Sequence, residues 1–258
     1  MAPSSPRRAH ARARRAYGQN FLSSSAALRT VVDAACLKPD DLVYEVGAGR
    51  GRLTSLLLAR AGRVVAFEVD PAHAAALPAH PRLEVRVADF LRASPPPAPF
   101  AVVGNIPYAL TAPVVRWCLD APSLLEATLV TQLEYARKRT GDYGRWSRLT
   151  IETWPTHEWE LAGRIPRTAF RPVPRVDGGV LRLAHRDIPL VAPADLAAYR
   201  SFVDCGFTGV GGSLAASLSR RYGRRRVASA FRANRLSEDV PVGMVWPENW
   251  LTLFRLIA

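Results

Sequence analysis

Apolar positions along this chain follow two regimes. Between Leu42 and Leu183, short apolar runs alternate with amphipathic stretches, whereas beyond Arg186 the pattern is helical. Ahead of both, Leu28, Val31, Val32 and Ala35 recur at helical spacing and predict a helix over Ser25–Ala35. Strands are predicted at Leu42–Val46, Arg63–Val69, Leu83–Val87, Phe100–Val103 and Ala127–Gln132. Helices are predicted at Leu53–Ala59, from Pro71, at Pro113–Leu119, at Glu134–Thr140 and at Ser147–Trp154. Two more strands, His157–Ile165 and Gly179–Leu183, flank a stiff loop, Phe170-Arg171-Pro172-Val173-Pro174-Arg175-Val176. This alternation predicts an α/β fold with a doubly wound parallel sheet. The later stretch offers helices at Leu196–Phe202 and Trp250–Ile257. The expected organisation is a basic arm over residues 1–18, an α/β domain over 19–185 and a small helical domain over 186–258.

The punctuation between elements carries the chemistry. Gly104-Asn105-Ile106-Pro107-Tyr108 ends the Phe100–Val103 strand, because proline cannot donate to a ladder. The stretch places an amide, backbone carbonyls and an aromatic ring at a carboxyl strand end, where open α/β sheets bind ligands. Such a turn suits a planar, amino-bearing ring; taken alone it fits an ordinary turn with a packed Tyr108 equally well. Gly47-Ala48-Gly49-Arg50-Gly51 occupies the first strand-to-helix turn. Its GxGxG spacing is neither the dinucleotide fingerprint nor a phosphate loop, so alone it is a weak sign of a nucleoside site. Glu68 stands about 20 positions further on, where an acid bonds ribose hydroxyls in nucleoside-binding folds. Asp89 ends the third strand, where a carboxylate can accept from an adenine amino group. Either acid alone reads as a solvated strand end. Together with Asn105 they mark the carboxyl ends of four successive strands and outline an adenosine pocket.

Charge adds a partner. The 258 residues carry 35 Lys and Arg against 22 Asp and Glu, a net charge of +13. Only Lys38 and Lys138 are lysines. A GC-rich genome explains arginine over lysine but not the excess itself, which points to a polyanion such as nucleic acid. Single arginines read as solvated surface. As sets, Arg137, Lys138, Arg139, Arg145 and Arg148, and the cluster Arg220–Arg226, predict phosphate contacts and steep salt dependence. Cys36, Cys118 and Cys205 are scattered, with no CxxC, and the histidines form no HExxH. Neither a disulfide framework nor a zinc site is expected, and a reducing cytoplasm is. No apolar run reaches the roughly 18 residues of a membrane span. The acid-free start, with Arg7, Arg8, Arg12, Arg14 and Arg15, lacks a secretory apolar region. It resembles a transit peptide in composition, but its direct run into Gln19-Asn20-Phe21-Leu22 favours a disordered basic arm.

An adenosine pocket without phosphate motifs suggests S-adenosylmethionine. Gln19-Asn20-Phe21-Leu22, Glu45-Val46-Gly47-Ala48-Gly49-Arg50-Gly51, Glu68-Val69-Asp70, Ala88-Asp89-Phe90 and Asn105-Ile106-Pro107-Tyr108 resemble the rRNA adenine N6-methyltransferases. Within them, Thr131–Arg139, Phe170–Pro174 and Glu248-Asn249-Trp250-Leu251 are similar to the Erm branch, the erythromycin-resistance methylases acting on 23S rRNA. The resemblance spans about Gln19 to Ala258, and the arm before it lies outside. It implies a Rossmann-like S-adenosylmethionine-dependent methyltransferase sheet. It implies that Asn20, Leu22, Gly47 and Gly49 border the methionine and ribose of the cofactor. Glu68 would hold the ribose, and Asp89 with Phe90 the adenine. Asn105 would sit between cofactor and target, with the carbonyl of Ile106 or Pro107 accepting beside it. Tyr108 would stack on the target base and Phe170 cover it. The implied reaction transfers one or two methyl groups to N6 of one adenine in the peptidyl-transferase loop of 23S rRNA, in protein-free or precursor form. Its implied consequence is macrolide, lincosamide and streptogramin B resistance, by a cytoplasmic monomer. Dimethylation of adjacent adenines of small-subunit rRNA, DNA adenine methylation, and a non-enzymatic nucleic-acid-binding descendant of the fold are the alternatives. The Asn-Ile-Pro-Tyr form, and the intact Gly47, Glu68, Asp89 and Asn105, argue against them.

Overall fold

The structure, a computed structural model, describes residues 20–258. The expected basic arm over residues 1–18 lies outside the described residues. Among the described residues nine strands follow in chain order: β1 (Phe21–Leu22), β2 (Leu42–Val46), β3 (Arg63–Glu68), β4 (Leu83–Val87), β5 (Phe100–Asn105), β6 (Leu124–Gln132), β7 (His157–Ile165), β8 (Phe170–Arg171) and β9 (Gly178–His185). Seven form one sheet in the order β4-β3-β2-β5-β6-β9-β7, and β1 pairs with β8 in a separate ribbon.

The five strands from β4 to β6 are mutually parallel. The inner strands β2, β3 and β5 are near-continuously apolar because both their faces are covered, as parallel sheets require. Edge strand β4 instead alternates and is partly exposed. On one face Val43, Val64, Ala101 and Val103 pack with Leu28, Val31 and Val32 of helix Ser25–Ala34 and with Leu53 and Leu57 of helix Arg52–Leu58. On the other, Tyr44, Phe67, Phe90, Phe100 and Trp117 form a chain of ring contacts with centroids 4.3–6.0 Å apart.

Strand order decides where a ligand sits. The chain builds outward from β2 to β3 and β4, then returns to place β5 on the other side of β2. Ligands of doubly wound sheets bind at such a switch point. Here Val46 pairs with both Phe67 and Gly104, so the glycine loop after β2 lies between the ends of β3 and β5. Asn105 is thus a neighbour of the glycine loop and well removed from Asp89 across the sheet, an adjacency that sequence order conceals.

The chain divides into two compact units. The first holds the described residues up to Ala136 and Leu161–Leu183; the second holds Arg137–Glu160 and Ala184–Ala258. The expected boundary at residue 186 lies close to the second division, but Arg137–Glu160 leaves the α/β domain expected over 19–185. The cause is hydrophobic: Trp146 and Ile151 are buried with Tyr199, Phe202, Leu218 and Trp250 in the helical core. That core also draws in two helices that the apolar pattern does not announce, Leu214–Tyr222 and Arg224–Ala233. The cluster Arg220–Arg226 straddles the junction between them, where Gly223 adopts φ 86°. Among the described residues no helix is long and apolar enough to cross a membrane, and no cluster could hold a metal ion.

Candidate active site

The glycine loop is held by the end of β3, through the Phe67 carbonyl and the Glu68 carboxylate. Gly47 and Gly49 have φ 72° and 55°, left-handed backbone that other residues rarely adopt. Loop amides of Gly47 and Ala48 donate to the Phe67 carbonyl at 2.9 and 3.1 Å. The Gly49 amide donates to Oε2 of Glu68 at 2.8 Å, and the Asp70 amide to its Oε1 at 2.9 Å. Glu68 is 1% exposed, so its carboxylate organises the loop as well as facing the crevice. Each carboxylate oxygen keeps a second lone pair for a ligand. That bracing role is not evident from the sequence.

Glu45 escapes sequence reasoning as well. It is buried within β2, and no described group donates to either of its carboxylate oxygens. Burial pushes its carboxyl up to about 7; Thr54 counteracts this, and the charge of Glu68 adds to it. The signal in the sequence is a lone acid in an apolar strand, immediately before the glycine loop.

Asp89 ends the crevice on the β4 side. Its Oδ1 accepts from the Leu91 amide at 3.0 Å and so starts the turn Phe90–Arg92. Phe90 is buried edge-on against Phe67. Asn20, Gly47, Glu68, Asp89, Phe90 and Asn105, with Leu110 and Val114, line a cavity of about 340 Å³.

Asn105 closes this cavity at the end of β5. Its Nδ2 donates to the Asn20 carbonyl at 2.8 Å. That bond fixes the amide's orientation and leaves Oδ1 as an acceptor. The next carbonyls are not equivalent: Pro107 accepts from the Leu110 amide at 2.8 Å to start the turn Tyr108–Leu110. Of the two candidate carbonyls, Ile106 is therefore the uncommitted one, although its side chain is buried. Tyr108 is half-buried. Its hydroxyl has no hydrogen-bond partner, and its pKa is raised by burial and by Asp177.

A second cavity, of about 430 Å³, shares Phe21, Gly47 and Asn105 with the first. Leu22 and Pro172 line it, and Arg50, Arg52 and Arg171 supply its charged side. Those arginines are not among the expected site residues, because nothing in their local pattern separates them from surface charge.

Phe170, expected to cover the target base, is deeply packed. Its ring is 0% exposed and lines neither cavity. Pairing of Phe170 with Leu22 across β1 and β8 puts its side chain into the core with Ile165 and Val180. A Cβ on Gly178 would come within 2.9 Å of that ring, so the core is closed around it. Tyr108 also lines neither cavity; its ring is partly exposed and its hydroxyl buried.

The first cavity fits the cofactor that the sequence implies. It offers a buried carboxylate for a diol, a second acid and an apolar ring for a purine, and backbone that approaches closely at Gly47. No phosphate-binding loop accompanies it, which argues against a nucleotide polyphosphate.

Comparisons with known proteins converge on the same chemistry. The model of the ribosomal RNA adenine dimethylase family matches residues 10–258. An rRNA adenine N-6-methyltransferase of Streptomyces fradiae is 52% identical over 95% of this chain and 79% of its own length. The crystal structure of the 23S rRNA methyltransferase ErmE has a TM-score of 0.89 at 49% identity, covering 92% of this chain and 99% of that one. A ribosomal RNA small subunit methyltransferase A of Thermobifida fusca is 38% identical over 83% of this chain and 79% of its length. The chain belongs to the ribosomal RNA adenine dimethylase family and is an S-adenosylmethionine-dependent rRNA adenine N6-methyltransferase.

Proposed function

We propose that the chain methylates, once or twice, N6 of a single adenine in the peptidyl-transferase loop of 23S rRNA, and that this confers resistance to macrolides, lincosamides and streptogramin B. Identity of 49% to ErmE against 38% to the small-subunit enzyme supports the 23S branch. The substrate would be protein-free or precursor 23S rRNA, met in the cytoplasm by a monomer. The carrying observation is the Asn105 amide, pinned by Asn20 with its oxygen free at the meeting of the two cavities.

S-adenosylmethionine supplies an electrophilic sulfonium methyl. An adenine amino group is a poor nucleophile, because its lone pair is conjugated into the ring. The protein's task is alignment rather than proton abstraction, so no strong base is required. Asn105 Oδ1 and the Ile106 carbonyl accept hydrogen bonds from the two N6–H groups. Both dipoles then stabilise the positive charge that grows on nitrogen during attack. After transfer the methylated nitrogen releases one proton to solvent while S-adenosylhomocysteine departs. Glu68 and Asp89 hold the adenosine of the cofactor, and Asn20, Leu22, Gly47 and Gly49 border its other end. The target base must leave its stack to reach Asn105, and Tyr108 replaces the lost stacking. Tyr108, the more exposed of the two rings, would carry most of that role, with Phe170 as the expected cover.

The test supplies labelled S-adenosylmethionine with protein-free 23S rRNA, small-subunit rRNA or DNA. Label confined to one adenine of 23S rRNA is expected. Label confined to small-subunit rRNA would sink the 23S assignment, and RNA binding without label would sink the transfer itself.

A further inference from the structure

The second cavity holds three guanidinium groups that nothing in the first explains. Elsewhere in the same unit, Arg60, Arg63, Arg86, Arg164 and Arg182 each take a carboxylate within 4.0 Å, whereas Arg29, Arg82, Arg116, Arg167 and Arg175 take none among the described residues. Convergence on one cavity is what sets Arg50, Arg52 and Arg171 apart. Arg50, Arg52 and Arg171 have no such partner among the described residues, although they line one cavity. Their tethers are uncharged. Arg52 donates from Nη1 to the Ser23 carbonyl at 2.5 Å and from Nη2 to the Ser25 hydroxyl at 3.5 Å. Arg171 donates from Nη1 to the carbonyls of Thr168 and Phe170 at 3.0 and 2.9 Å. Arg50 lies over the Phe21 ring, 5.6 Å from its centroid. Such contacts orient a guanidinium and leave its full charge in place. Three oriented like charges around one cavity repel one another, and an anion in that cavity relieves the repulsion.

We propose that Arg50, Arg52 and Arg171 form an oxyanion subsite that takes the backbone phosphates of the target nucleotide while its base occupies the Asn105 turn. This rests on the adenine-transfer reading and adds where the RNA backbone runs. Both sites open on Asn105, so one extruded nucleotide can place its base in one and its phosphate in the other. Guanidinium groups suit phosphate oxygens, which they bind through paired N–H donors. Charge balance separates the two oxyanions within reach. The cofactor's single carboxylate would leave two of the three cations uncompensated, whereas an extruded nucleotide brings a phosphate on each side.

The test uses the full chain and a protein-free 23S rRNA fragment containing the methylated adenine, with binding measured across a salt series. S-adenosylhomocysteine binding is measured by calorimetry in parallel. In the double variant Arg50→Gln/Arg171→Gln, the log–log salt slope should fall by roughly 0.7–0.9 for each phosphate that the protein no longer neutralises. KM for RNA should rise at least tenfold with kcat within threefold, and S-adenosylhomocysteine affinity should stay within twofold. Arg50→Lys/Arg171→Lys keeps the charge and should recover most of the slope, which separates charge from misfolding. Weakened S-adenosylhomocysteine binding with an unchanged RNA slope would assign the arginines to the cofactor carboxylate and overturn the proposal. Unchanged values throughout would make them solvated surface and overturn it equally. Wild-type protein that binds the fragment without labelling it removes the transfer reading alone, since the slope comparison needs only binding.

Discussion

The two cavities that meet at Asn105 are built on opposite plans. The first is largely apolar and carries two carboxylates, Glu68 locked by two backbone amides and Asp89 by a third, with Arg92 4.0 Å from Asp89. The second is basic, with its arginines held by carbonyls, a hydroxyl and a ring face. One suits a cofactor carrying a sulfonium cation, and the other suits a polyanion. Separating the charges in this way lets one amide serve both substrates.

The largest break in this comparison should come at the shared residue. Asn105→Ala removes the acceptor for N6–H, and turnover should drop about 100- to 1000-fold, in line with loss of one oriented dipole at a developing charge. Single-turnover kinetics should show this while RNA and cofactor affinities change less than threefold; an equal loss of affinity would contradict the positioning role.

Next in size is the acidic cavity alone. Glu68→Ala strips partners from the Gly49 and Asp70 amides and from the cofactor ribose. Cofactor Kd, read by calorimetry, should weaken about 10- to 100-fold, as expected when a charged hydrogen-bond acceptor is removed. The RNA salt slope should not move. A slope that changed with Glu68 would erase the separation between the two cavities.

Stability against pH probes the ground beneath the loop. The folded pKa of Glu45, about 7, lies above its ordinary value of 4.5. A raised carboxyl favours the folded state most below the unfolded pKa. Its contribution is therefore complete below about pH 4.5 and fades as pH rises through about 7, by an amount on the order of 1–3 kcal/mol. Glu45→Gln should flatten that window in denaturant melts; an unchanged profile would mean that Glu45 does not titrate there.

The smallest effect concerns Tyr108. Its hydroxyl has no partner, so Tyr108→Phe should leave KM for RNA within twofold. Tyr108→Ala removes the stacking face, worth about 1–3 kcal/mol, and should raise KM about tenfold or more. A large loss in the Phe variant would give the hydroxyl a role that the geometry does not.

What the sequence disclosed follows the same divide. Gly47, Glu68, Asp89 and Asn105 were legible because glycine, proline and acids punctuate apolar strands at the ends where a parallel sheet binds ligands. The helical unit was legible in part. Trp250 and Leu251 stood out, while Arg224–Ala233, with its exposed arginines, looked like a charge run. The fate of Phe170 and the assembly of Arg50 with Arg171 were not legible. Both depend on pairing β1 with β8, a contact between residues far apart in sequence, and local pattern carries no information about such a partner.

That pairing also imposes an order in time. The carbonyl of Asn20 that fixes Asn105 belongs to a segment made near the start of synthesis, and β1, which directly follows it, finds its partner only at Phe170–Arg171. At about 5–20 residues per second, a growing chain has every strand of β2–β6 before β8 exists. The parallel sheet can therefore condense before β1 has its partner, so the segment that orients the Asn105 amide is anchored only after those strands are made. Catalytic competence should appear in a ribosome-bound chain only once residues beyond Arg171 have cleared the exit tunnel, well after the central strands acquire resistance to protease.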